Sequence, residues 1–188
     1  VDDQYIRAAF KQAGRDYEVV NIDDDPRYRD YVDDYFRIVG RKGVILEAAR
    51  TIVRTNQTVI GALAVKRGDA DALICGVEGR YDRHVRDVRQ IIGKRAGVRD
   101  FSGLSLLISQ RGAIFFTDTF VTDDPCAEEI AEMTMLAAQE IRRFGIAPKA
   151  ALLSHSNFGS RPSPSASKMR KALEIIRQTA PELEVDGE

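Results

Sequence analysis

The sequence predicts an α/β fold built from strand–loop–helix units, and three stretches carry that prediction. Ala72-Leu73-Ile74-Cys75-Gly76 and Ala150-Ala151-Leu152-Leu153 are short, continuous apolar runs. Each is too short for a helix and right for a strand buried in a parallel sheet. Each leads into a polar loop of small residues and then into an amphipathic helix. In open α/β sheets that layout places ligands beyond the carboxyl ends of the strands. Between the two units, Gly93-Lys94-Arg95-Ala96-Gly97 has the composition of a hinge. It divides the chain into subdomains at residues 1–95 and 96–188.

The first helix is expected over Asp3 to Ala13, with Tyr5, Ile6, Ala9, Phe10 and Ala13 on one side and Gly14 as its stop. Tyr17 to Ile22 has the β-rich composition of a short strand. Asp23-Asp24-Asp25-Pro26 then opens a helix running to Val39, because acidic side chains favour a helix's first turn. Gly40-Arg41-Lys42-Gly43 is a basic turn, either plain surface or a phosphate contact. Helices follow over Leu46 to Arg54 and Thr58 to Arg67, the latter capped by Gly68.

After the strand at residues 72–76, a glycine-containing loop from Gly76 to His84 overlaps a helix from Asp82 to Ile92. Arg80, Arg83 and Arg86 gather at this helix start, where guanidinium groups can hold phosphates bidentately. Arg86 can equally pair with Asp82 or Asp87 on the helix surface. Leu104 to Ser109 and Ala113 to Thr117 form a hairpin across Gln110-Arg111-Gly112. Asp118, at a strand end, is either a functional residue or a turn cap. The longest helix is expected over Cys126 to Phe144, its buried face lined by Ile130, Met133, Thr134, Ala137, Ala138 and Ile141. Glu184 to Asp186 starts a last strand.

Composition removes several classes of function. A hydrophobic content of 44% and a charged content of 30% describe an ordinary globular domain. A net charge of −1 gives no bulk attraction to nucleic acid or to lipid, so neither is expected as a partner. No apolar run approaches the ~18 residues that span a membrane, and nothing near Val1 has the pattern of a signal peptide. Cys75 and Cys126 lack metal spacing and read as buried, reduced thiols of a cytoplasmic protein. With only His84 and His155, a His-rich metal site is excluded by count.

The stretch richest in chemistry runs from Ser154 to Ser167, with Ser156, Ser160, Ser163 and Ser165 between them and His155 and Asn157 alongside. Hydroxyls, backbone N–H groups and a helix N-terminus together suit an anion, although the same composition also makes a plain solvated loop. Nucleophilic catalysis by Ser154 or Ser156 through His155 is disfavoured. Neighbouring residues rarely face one another, and no third, orienting acid is evident.

The wording of this stretch resembles the phosphate acetyltransferase family. It more closely resembles the phosphotransacetylase-like C-terminal domain of the hybrid NADP-dependent malic enzymes of bacteria. That group carries Leu-Ser-His-Ser-Asn-Phe-Gly-Ser, Ser-Lys-Met-Arg, Ala-Pro-Glu-Leu and Asp-Gly-Glu. They stand here at Leu153–Ser160, Ser167–Arg170, Ala180–Leu183 and Asp186–Glu188. The true acetyltransferases read Leu-Ser-Tyr-Ser-Thr at the loop, so His155-Ser156-Asn157-Phe158 favours the malic-enzyme branch. The resemblance runs from about Tyr17 to the last residue.

The resemblance implies two α/β subdomains with a cleft between them, of the isocitrate/isopropylmalate dehydrogenase type, here incomplete at both ends. It implies acetyl-CoA as an effector, bound through Ser154, His155, Ser156, Asn157, Ser160, Arg86, Arg80, Lys42 and Asp118. Arg86 aligns with a coenzyme-contacting arginine, but the following proline of that motif is Asp87 here. At the basic turn only Lys42 and Gly43 match. The catalytic Ser-Arg and Asp of the transferases lie beyond Glu188, so the chain reads as a fragment without acyltransferase activity of its own and without a cofactor. The implied parent oxidatively decarboxylates malate to pyruvate with NADP and Mg or Mn through an upstream malic-enzyme domain, and it forms dimers or larger homo-oligomers. An active phosphate acetyltransferase and a ligand-free oligomerisation module are the competing readings.

Overall fold

The structure is a computed structural model that describes residues 8, 11, 14 and 17–187. The chain forms two compact units, Val1–Gly93 and Lys94–Glu188. The helix expected over residues 3–13 falls largely outside the described residues.

The described part of the first unit is helical. Its helices are α1 (Tyr28–Val39), α2 (Leu46–Thr55), α3 (Gln57–Arg67) and α4 (Tyr81–Ile91), with a 3-10 turn at Gly40–Lys42. On α1 the apolar spacing puts Tyr31, Tyr35 and Val39 on one face, and all three are buried. They pack with Ala49 and Val53 of α2 and with Val59, Ala62 and Leu63 of α3. Asn56 caps α3, its side-chain oxygen accepting the Val59 N–H at 3.2 Å. Gly68, at a left-handed φ of 83°, ends the helix. Arg67 closes this end of the bundle. It pairs with Asp34 at 2.7 Å and Asp69 at 3.2 Å, and its guanidinium lies 5.4 Å from the Tyr31 ring centre.

Two expected strands are absent. Residues 17–21 and 72–76 carry no regular secondary structure, residue 22 lies in a turn, and neither stretch joins a ladder among the described residues. A strand is defined by its neighbours, because its N–H and C=O groups need a partner edge. Nothing in the described part of this unit offers one. Ile74 is therefore 99% exposed and Cys75 is exposed, which corrects the expectation of a buried strand and a buried thiol. Leu73 alone of this run packs inward, against α3 at Gly61, where a Cβ would overlap its methyl group.

The second unit is mixed α/β. Strands β1 (Leu104–Ser109) and β2 (Gly112–Thr117) form an antiparallel hairpin in which Ser109 faces Gly112. Gly112 stands at φ 120°, a conformation that side chains rarely adopt. Helix α5 (Ala127–Arg143) starts with a reciprocal cap: Cys126 accepts from the backbone of the first turn while its own N–H donates to Glu129 Oε2 at 2.7 Å. The second cysteine is thus an exposed capping residue and not a buried thiol. Strand β3 (Lys149–Leu152), helix α6 (Pro164–Thr179) and strand β4 (Glu184–Gly187) form a β–α–β unit with parallel strands. Ile130, Ala131 and Ala138 of α5 pack with Leu173 and Ile176 of α6 and with Leu152 and Leu183. Lys171 reaches Glu128 at 2.6 Å, joining α6 to the first turn of α5. Leu153, expected inside the strand, lies just past its end and is 73% exposed.

Candidate functional site

The loop from Leu153 to Ser163 links the carboxyl end of β3 to the N-terminus of α6. Its own side chains hold it in shape. Ser154 Oγ accepts the Ser156 N–H at 2.9 Å, Ser156 Oγ accepts the Arg161 N–H at 3.1 Å, and Ser160 Oγ accepts the Asn157 N–H at 3.0 Å. Phe158 and Gly159 turn the chain through left-handed φ values of 47° and 78°. Ser163 caps α6, accepting the Ala166 N–H at 3.2 Å, and Pro164 sits at the first helical position, where a missing N–H costs nothing.

A serine oxygen that accepts a backbone N–H keeps its own proton to donate. Ser156 and Ser160 are both in that state, on the loop that leads into the positive end of a 16-residue helix. His155 and Asn157 are exposed on the same loop, and among the described residues no hydrogen-bond partner engages the His155 ring. Lys168, in the early turns of α6, is tied to Asp124. The loop therefore presents neutral donors and a helix dipole, which suits a phosphate or a thioester oxygen better than nucleophilic attack.

Asp118 serves a different purpose. Its carboxylate accepts the N–H groups of Gly103 at 2.9 Å, Val121 at 3.3 Å and Thr122 at 2.8 Å. These bonds make it a cap that ties the end of β2 to the turn that precedes α5. Asp118 and Leu153 line one groove of about 500 Å³ in this unit.

The remaining expected site residues belong to the first unit. Arg80 is already engaged, with Nε 2.9 Å and Nη2 3.2 Å from the two Asp82 oxygens. That guanidinium holds the Asp82 carboxyl below the usual carboxylate range. Arg86 is 69% exposed and stands 3.9 Å from Asp87, beyond hydrogen-bond range. Lys42 is exposed at the end of the 3-10 turn, just before Gly43 at φ 91°.

Residues 77–80 are held by a group that sequence reading passed over. His84 Nε2 lies 2.9 Å from the Glu78 carbonyl oxygen, and Nδ1 lies 2.7 Å from Thr58 Oγ1. A carbonyl only accepts, so Nε2 donates, and in the neutral ring Nδ1 accepts from Thr58. Asp87 was likewise passed over as a buried group. It is 8% exposed and accepts from Asn56 Nδ2 at 2.8 Å, which fastens α4 to the cap of α3. The available signal was a histidine and an aspartate one turn apart on a helix behind a glycine loop.

Among the described residues no group of three or more His, Cys, Asp or Glu is placed to hold a metal ion, and no helix is long and apolar enough to cross a membrane.

Residues 4–188 match the Phosphate acetyl/butaryl transferase family. The chain is 77% identical over 173 residues to an NAD-dependent malic enzyme of Rhizobium meliloti, covering 92% of this chain and 22% of that protein. It is 51% identical over 177 residues to an NADP-dependent malic enzyme of Escherichia coli, covering 94% of this chain and 23% of that protein. A phosphotransacetylase from Streptococcus pyogenes superposes with a TM-score of 0.81 at 30% identity, over 100% of this chain and 58% of that one. The chain thus spans less than a quarter of the length of the malic enzymes it matches.

Proposed function

The chain belongs to the phosphate acetyl/butaryl transferase family, and on that premise we propose that it is the acetyl-CoA-sensing regulatory segment of a nicotinamide-dependent malic enzyme. The observation that carries this reading is the 77% identity to a segment of a malic enzyme, a protein that this chain covers over 22% of its length. The site geometry supports the choice of effector. Ser156 and Ser160 offer hydroxyl protons next to the α6 N-terminus, where the thioester oxygen or a phosphate of acetyl-CoA finds donors without a nucleophile. Of Arg80 and Arg86, the latter is better suited to a coenzyme phosphate, because Arg80 is committed to Asp82.

In this reading the malic reaction, its NAD or NADP and its Mg or Mn are assigned to polypeptide outside this segment. Acetyl-CoA acts by binding one state of the complete protein better than another, which is the only way an effector shifts a distant equilibrium. The homo-oligomer expected of the parent is the assembly in which such states would differ. The loop has donors without an activated base. The segment is therefore read as non-catalytic.

The superposition on a phosphotransacetylase keeps one other reading alive, an active acyltransferase. Calorimetric titration of the complete gene product with acetyl-CoA, followed by an assay for acetyl phosphate in the presence of phosphate, separates the two. Binding without acetyl phosphate supports the sensor. Binding with turnover supports the transferase. Absence of binding at millimolar acetyl-CoA defeats both and leaves an oligomerisation module.

A further inference from the structure

His84 joins three pieces of the first unit. Its Nδ1 meets Thr58 Oγ1 at 2.7 Å, and its Nε2 donates to the Glu78 carbonyl oxygen at 2.9 Å. Thr58 lies in the first turn of α3 and is buried. Asn56, the cap of the same helix, holds Asp87 one turn further along α4. The first turn of α3 therefore grips α4 at two points, and the histidine extends that grip to the loop ahead of α4.

The loop needs such support. Val77 stands at φ 69° and is fully exposed, so packing of its own side chain does not hold it there. A β-branched residue in the left-handed region is strained, and strain of this kind persists only where the surroundings fix it. The bond from His84 to Glu78 is the only hydrogen bond that residues 76–79 make among the described residues. Gly79, at φ 93°, makes room for it, because a Cβ there would come within 3.3 Å of His84 Nε2. The arrangement leaves the N–H groups of residues 77–80 without an acceptor among the described residues. We propose that His84, aligned by Thr58, is a positioning residue for acetyl-CoA binding. It fixes the loop whose free N–H groups, together with Arg86 of the following helix, receive a coenzyme phosphate. This role rests on the sensor reading. Both ring nitrogens are spent on protein groups, so His84 shapes the site without touching the ligand.

Three variants of the complete gene product test this. Each is titrated with acetyl-CoA by calorimetry, and each is exposed without ligand to trypsin, which cleaves after Arg80. The Asn56–Asp87 bond keeps α4 docked in all of them. His84→Asn keeps a polar group facing Thr58 but cannot reach Glu78. His84→Gln returns an amide N–H to the place of Nε2. His84→Asn is expected to weaken acetyl-CoA about fivefold, the worth of one hydrogen bond, and to speed cleavage after Arg80 about as much. His84→Gln should recover both to within about twofold. Thr58→Val is isosteric and away from the loop, and it should weaken binding about threefold with an unchanged melting temperature. Loss of packing alone would not separate Asn from Gln.

Affinity of His84→Asn or Thr58→Val equal to that of the wild type would overturn the role. So would a His84→Gln variant as weak as His84→Asn, or weaker binding with unchanged cleavage. In each of these outcomes the wild type still binds, and the sensor reading stands. A wild type that does not bind at millimolar acetyl-CoA defeats the sensor reading, and this role with it.

Discussion

The Asp118 carboxylate accepts the Thr122 backbone N–H at 2.8 Å, and two further N–H groups converge on the same side chain. Hydrogen bonds to an ionised acceptor are the stronger kind, and removing the acceptor leaves donors without partners. Asp118→Ala is therefore expected to destabilise the second unit by about 2–3 kcal/mol. Asp118→Asn keeps an acceptor but loses charge and gains a donor, so it falls between. Denaturant unfolding of the variants measures both. Equal stability of wild type and Asp118→Ala would contradict the capping role.

Glu128 and Lys171 couple stability to acid. The Lys171 ammonium, 2.6 Å away, holds the Glu128 carboxyl down to about 2 from its ordinary 4.5, with its own backbone N–H and the Cys126 side chain adding to it. A depressed carboxyl stabilises the fold above its unfolded pKa and loses that contribution as the pH falls through its folded pKa. The loss accordingly falls between pH 4.5 and about 2. The pair is exposed, so salt weakens it. Melting temperatures of wild type and Glu128→Gln are expected to converge as the pH drops through this window. A constant difference down to pH ~2 would contradict the pairing.

Arg80 and Arg86 are chemically alike in the sequence and unlike in the structure. Arg80 is neutralised by Asp82, and Arg86 stands 69% exposed with only a distant carboxylate. For the complete gene product, Arg86→Ala is expected to weaken acetyl-CoA roughly tenfold, about 1.4 kcal/mol, with a smaller salt dependence left behind. Arg80→Ala should change affinity by less than about twofold. Calorimetry at two ionic strengths reads both. Equal losses would mean that the Arg80–Asp82 pair opens for the ligand.

Ser156 has two jobs that a conservative variant separates. Its oxygen accepts the Arg161 N–H, and its proton is available to a ligand. Ser156→Ala should cost about 1 kcal/mol of affinity for acetyl-CoA, roughly fivefold, and Ser156→Thr should recover most of it. A Thr variant as weak as the Ala variant would indicate that the site has no room for the loop's own hydroxyl proton donor.

How much could be read in advance depended on whether each feature is local. Helices α2, α3 and α6 and the hairpin were legible, because periodicity, a glycine stop and a short polar turn between apolar runs are all written within a few positions. The turn is one residue shorter than the expected Gln110-Arg111-Gly112, since Gly112 already pairs with Ser109. The strands expected at residues 17–22 and 72–76 were not, because pairing is decided by distant chain, and the described residues supply no edge for either. The serine loop was legible as the connection between β3 and α6, yet its internal bonding was not. Spacing does not tell which hydroxyl accepts from which N–H. Asp118 shows the same limit, since a strand-end carboxylate looks identical in sequence whether it faces a ligand or three amides.

The most direct test of the sensor reading is malate-dependent reduction of NAD and NADP by the complete gene product, run with and without acetyl-CoA, alongside an acetyl phosphate assay. Malate oxidation that acetyl-CoA suppresses, with no acetyl phosphate formed, is the expected result. Acetyl phosphate formation without malate oxidation would contradict it and make the parent a transferase.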